Sequence, residues 1–168
     1  MGTLLKLAPL AVGLVAFASV VWFLVHKNVG LGTGLIAAFL LGHGLVHIMF
    51  AAPPPVTAGD PAAEFAFDLN RSWPVTARIV DPVVLRLIVV VLVAVVVVGY
   101  GLGAMSTVGL VVPQTAWPSL IVVSTIASGA LMAIGLSPAL ALGIGIDAFL
   151  LWIALAAIWL PGRVVPGT

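Results

Sequence analysis

Along residues 7–25, 30–52, 82–104, 118–136 and 138–160 the chain carries apolar runs, each near the roughly 20 residues a helix needs to cross the hydrocarbon core of a bilayer. Lipid leaves a backbone two solutions: helices that satisfy their own N–H and C=O groups, or a closed barrel. The alternation over about ten residues that marks barrel strands is absent. The expected fold is therefore all-α, a polytopic bundle of five transmembrane helices forming a single integral membrane domain over residues 1–168. A short interfacial helix is expected in the long connection 53–81.

Composition agrees. Charged residues are 7% of the chain and apolar ones 63%, whereas a soluble domain carries roughly 25% charged residues. A chain of this size cannot hide so much apolar surface in its own core, so the lipid bilayer is its expected partner and a multi-pass position in the cell membrane its expected location. The absence of Cys excludes disulfides, thiol nucleophiles and cysteine-ligated iron–sulfur clusters. A net charge of +1, with Lys and Arg scattered, offers no basic patch for nucleic acid. The Ala, Val, Gly, Leu and Pro bias fits a GC-rich prokaryotic genome.

Local signals place the helix ends. Asp81-Pro82 and Ser137-Pro138 each pair a capping side chain with proline at the first helical position, where a missing N–H costs nothing. Trp117-Pro118 is a looser version. Ser137-Pro138 is also the whole link between the last two runs, which implies a tight antiparallel hairpin. Pro53-Pro54-Pro55 makes a stiff exit from the second run. Asp60-Pro61 then opens the expected surface helix over 62–70, where Phe65, Phe67 and Leu69 alternate with Glu64 and Asp68, and Trp73 follows as an interfacial anchor. Lys6 and Ala16-Phe17-Ala18 imitate a signal peptide, but the apolar run continues to Val25, so an uncleaved first transmembrane helix is expected. Five crossings put Lys6, Arg71, Arg78 and Arg86 on one side and Lys27 and Arg163 on the other, which predicts a cytoplasmic N-terminus and an external C-terminus.

Asp147 interrupts the last run as its lone charge. At the middle of a membrane helix an acid costs about 2.5–3.5 kcal/mol, and such residues are normally reserved for a partner, a pathway or a site. His43 and His47, four residues apart, share one helix face. Counted from the helix ends, His43, His47, Asp147 and Arg86 fall at a common depth, and the flanking Gly42, Gly44, Gly143 and Gly145 allow close approach. The expectation is an intramembrane polar site of His43, His47 and Asp147 with Arg86 at its rim, acting as a ligand or proton relay or as a metal site. Two imidazoles and a carboxylate suit zinc or iron. Simpler readings exist for each residue: buried histidines often only pack and hydrogen-bond, Asp147 could merely pair with Arg86 or a histidine, and Arg86 suits a snorkelling position. Ser124, Thr125 and Ser128 have the simple use of bonding their own backbone.

No residue pattern marks a catalytic group, and enzymatic activity stays open. Two other function classes fit the same residues. A transporter or channel component would line a polar pathway with them and would need a homo-oligomer, because so few helices leave little room for alternating access. A structural or assembly subunit of a larger membrane complex would use them to hold helices together.

Overall fold

The computed structural model describes Trp22, residues 30–51, Leu69, residues 72–135 and residues 140–156. Among these the regular structure is entirely helical. Helix α1 spans Leu31–Val46 and tightens into a 3-10 turn over His47–Phe50; α2 is the short Trp73–Thr76; α3 is Pro82–Thr107; α4 is Trp117–Gly135, entered through a 3-10 turn at Gln114–Ala116; and α5 is Ala141–Leu155.

The expectation of five transmembrane helices is corrected here. Among the described residues three helical stretches are long and apolar enough to cross a membrane: Leu31–Phe50, Pro82–Thr107 and Gln114–Gly135. Helix α5 has 15 residues, a rise of roughly 22 Å, short of the roughly 30 Å hydrocarbon core. An apolar run measures composition, whereas spanning requires continuous helix, and within 138–160 the regular helix begins only at Ala141. The run 7–25, apart from Trp22, and the surface helix expected over 62–70, apart from Leu69, lie outside the described residues. The apolar helices support embedding in lipid, and the protein is membrane-associated.

The boundaries of α3 have local causes. Asp81 is its N-cap, with Oδ1 accepting from the Val83 N–H at 2.8 Å and Pro82 at the first position. At the other end Gly109 takes φ +70. The N–H of Leu110 reaches the Met105 carbonyl and the N–H of Gly109 reaches that of Ser106, the paired closure of a Schellman motif. This glycine, rather than the run of apolar residues, sets the end, and α3 extends to Thr107 instead of Ala104.

Contacts fix the directions of the helices. Gly99 packs on Ser124 and Gly103 on Ile121, while Ser106 Oγ donates to the Pro113 carbonyl, so α3 and α4 are antiparallel. Gly143 meets Met132, and Leu150 and Ile153 lie with Trp117, so α5 also opposes α4. Ile36 and Phe39 lie at the Trp117 end of α4 and His47 meets Ser128, so α1 runs with α4. The shared core holds Leu40, Val89, Val96, Tyr100, Ile121 and Leu131, all essentially inaccessible. Glycine makes the tightest approaches. A Cβ on Gly44 would come within 2.9 Å of the Tyr100 Cβ, and one on Gly99 would collide with Ser124 Oγ. Gly30, Gly42 and Gly145, by contrast, face open space. Trp73 ties α2 to the bundle by donating its indole N–H to the Ala133 carbonyl at 2.7 Å.

Candidate metal centre

Helices α1 and α5 bring His43, His47 and Asp147 together. One ligand atom from each lies within 4.8 Å of the others. Asp147 and His47 are 4% and 2% exposed, and the His43 side chain is nearly as enclosed.

The end of α1 shapes the His47 side. Its closing backbone N–H groups donate to the carbonyls of Gly44 and Leu45. The His43 carbonyl accepts instead from the imidazole of His47, with Nδ1 at 2.9 Å. A carbonyl can only accept, so Nδ1 carries the proton, and in the neutral ring Nε2 is the acceptor. It receives the Ser128 hydroxyl at 2.6 Å. Ser124 Oγ and Thr107 Oγ1, by comparison, back-bond to Leu120 and Gly103 in their own helices; Ser128 is turned across the bundle.

The Asp147 side is a chain of donors. Asp147 Oδ1 accepts from His43 Nε2 at 2.8 Å and from the Tyr100 hydroxyl at 2.8 Å. With its proton given to Asp147, Tyr100 accepts from Thr125 Oγ1 at 3.1 Å. These bonds offset the cost of holding a carboxylate among apolar helices. They are also unequal: Oδ2 is buried and makes no hydrogen bond with the described residues. Rings enclose the site. Phe39 stacks on His43 at 5.9 Å and 5° between planes, Phe50 stacks on His47, and Tyr100 and His43 form a T-shaped pair with ring centres 5.1 Å apart.

Arg86 is not at the rim. It is exposed on α3, 14 residues before Tyr100, or roughly 21 Å along the axis. The expected common depth placed Arg86 by its nearness to the start of its own helix. That start overshoots the others, because α3 is 26 residues long and Tyr100, not Arg86, faces the histidines. Tyr100 also belongs to the cluster and was not singled out from the sequence. Its signal is that it is the one tyrosine of the chain, a polar tip inside a membrane run that is aliphatic from Leu87 to Val98. Ser128, expected to bond its own backbone, instead reaches His47 Nε2.

Chemically, the cluster offers two imidazoles and one carboxylate, a donor set able to coordinate a metal ion. His47 is already oriented for it, since a ring N–H held by a carbonyl fixes the tautomer and leaves the other nitrogen as ligand. Tetrahedral bonds of 2.0–2.1 Å set donors roughly 3.3 Å apart, so the side chains would close inward around an ion. No protein-family model, curated protein or solved structure matches this chain.

Proposed function

We propose that this is a membrane-embedded metal-binding protein in which His43, His47 and Asp147 hold one zinc or iron ion. The supporting observation is the convergence of three ligand atoms from two helices, within 4.8 Å, in an enclosed position. The Oδ2 of Asp147, which bonds to none of the described residues, and the preset Nε2 of His47 add to it. Three protein donors leave a fourth position for water or a substrate atom, where the ion would supply Lewis acidity. To hold an ion, His47 Nε2 would give up the Ser128 hydroxyl and His43 Nε2 its bond to Asp147, while the Tyr100 hydroxyl would keep the carboxylate oriented.

Metal analysis of protein purified in mild detergent tests this, after growth and reconstitution with zinc and with iron. Stoichiometric ion is expected in the wild type, loss in His43→Ala and His47→Ala, and weakened retention in Asp147→Asn. A wild-type protein that retains neither metal would overturn the reading. A second reading, a proton relay, draws support from the continuous run of hydrogen bonds Thr125–Tyr100–Asp147–His43. It would take precedence if no ion is retained and the infrared carboxyl signal of Asp147 changes in Tyr100→Phe.

A further inference from the structure

Two serines one helical turn apart on α4 behave differently. Ser124 and Ser128 are both inaccessible and share one face of the helix. Ser124 Oγ donates to the Leu120 carbonyl of its own helix at 2.7 Å, the ordinary use of a hydroxyl in a membrane helix. Ser128 Oγ crosses to α1 and donates to His47 Nε2 at 2.6 Å. The ring proton of His47 is on Nδ1, held by the His43 carbonyl, so Nε2 has a single in-plane lone pair and it points at Ser128. An ion bound by that nitrogen lies along the same direction, roughly 2.0–2.1 Å out, and therefore against the serine oxygen.

The hydroxyl then has two courses. It can swing back to its own helix and leave the space to water, or it can stay and bind the ion. Neighbouring donors on a tetrahedral ion sit roughly 3.3 Å apart. Staying asks Ser128 Oγ only to draw back from its present 2.6 Å by roughly 0.7 Å. A water in its place would have to be ordered in an enclosed position, where it needs about two to four polar partners. His47, Asp147 and Ser128 are all buried, and none of them lines the apolar cavity between α1, α4 and α5.

We infer that Ser128 is the fourth ligand of this metal centre. It binds through an oxygen lone pair as a neutral hydroxyl, and its proton turns to a carbonyl of its own helix, as that of Ser124 already does. The inference rests on the metal reading and fills the position that reading leaves to water or a substrate atom. His43 and His47 of α1, Ser128 of α4 and Asp147 of α5 together close the coordination sphere. Closed sites are structural, whereas catalytic sites keep a position open. The role of the ion is then to clamp α1, α4 and α5 together, with Tyr100 and Thr125 bracing the carboxylate from outside.

The test uses full-length protein in mild detergent, stripped with a chelator and loaded with cobalt(II) in water enriched in oxygen-17. A labelled water bound to cobalt broadens its paramagnetic resonance; a serine oxygen carries no label. The wild type should show no broadening. Ser128→Ala should show it, because water takes the vacated position, and Ser124→Ala should behave as the wild type. Ser128→Cys gives an independent readout. The chain has no cysteine of its own, so a sulfur-to-cobalt charge-transfer band in this variant can come only from residue 128, and that band is expected. The wild-type resonance and Ser128→Cys decide the matter if Ser128→Ala does not fold. Broadening in the wild type, none in cobalt-loaded Ser128→Ala, or a cobalt-loaded Ser128→Cys protein without the band would overturn Ser128 as a ligand and leave the metal reading standing. A wild type that holds neither cobalt, zinc nor iron would remove both.

Discussion

Tyr100→Phe removes one oxygen atom from the centre of the bundle and nothing else. The ring remains, so its T-shaped pairing with His43 at 5.1 Å and its packing against Gly44 are kept, and no cavity opens. What is lost is the 2.8 Å bond to Asp147 and the 3.1 Å link to Thr125. A hydrogen bond to a charged group is worth about 1.5–3 kcal/mol in soluble proteins. Between membrane helices such bonds average about 0.6 and reach about 1.7 kcal/mol, because the separated helices also find partners. Thr125 contributes little to the loss, since its hydroxyl can turn back to its own helix as Ser124 does. The bond to Asp147 is buried and directed at a carboxylate, which places it at the upper end of the membrane range. The expected destabilisation is about 1.5 kcal/mol. Unfolding in mixed micelles by titration with dodecyl sulfate measures it. In an Asp147→Leu background, where the acceptor is gone, the same substitution should cost less than roughly 0.5 kcal/mol, the scatter of independent sites. Equal costs in both backgrounds would refute the assignment of Tyr100 as the donor that orients Asp147.

Other substitutions test other parts of the structure. Gly99→Ala should destabilise by about 1–3 kcal/mol through overpacking on Ser124, whereas Gly101→Ala, which meets nothing within 4 Å, should be neutral or stabilising by up to about 1 kcal/mol; the same titration compares them. Asp81→Ala should cost about 1 kcal/mol by uncapping α3 and speed amide exchange at Val83, with Asp81→Asn restoring both. Arg86→Gln should leave metal retention unchanged, because its side chain is exposed and roughly 21 Å from Tyr100 along the helix; loss of the ion in this variant would contradict the placement. Trp73→Phe removes the donor to the Ala133 carbonyl and should increase protease access to residues 72–81 without changing the helicity measured by circular dichroism.

Much of the architecture was legible because lipid reduces the options for a backbone. Apolar runs at 30–52, 82–104 and 118–136 became helices close to those limits, and Asp81-Pro82 capped as its side-chain chemistry requires. The same patterning overcounted the crossings, since hydropathy registers a run of apolar residues but not where regular helix starts, as 138–160 against Ala141–Leu155 demonstrates. The site was half legible. A carboxylate cannot be left in hydrocarbon without partners, and two histidines one turn apart must share a face, so the sequence by itself determined that Asp147, His43 and His47 were the residues to be reconciled. Which groups would reconcile them was settled by tertiary structure alone. Depth counted from helix ends chose Arg86, but the stagger of α3 against its neighbours carries that residue away and sets Tyr100 beside the histidines. Axial stagger is decided by where small residues let helices meet, here Gly44 on Tyr100 and Gly99 on Ser124, and that is a property of paired surfaces that no single helix encodes.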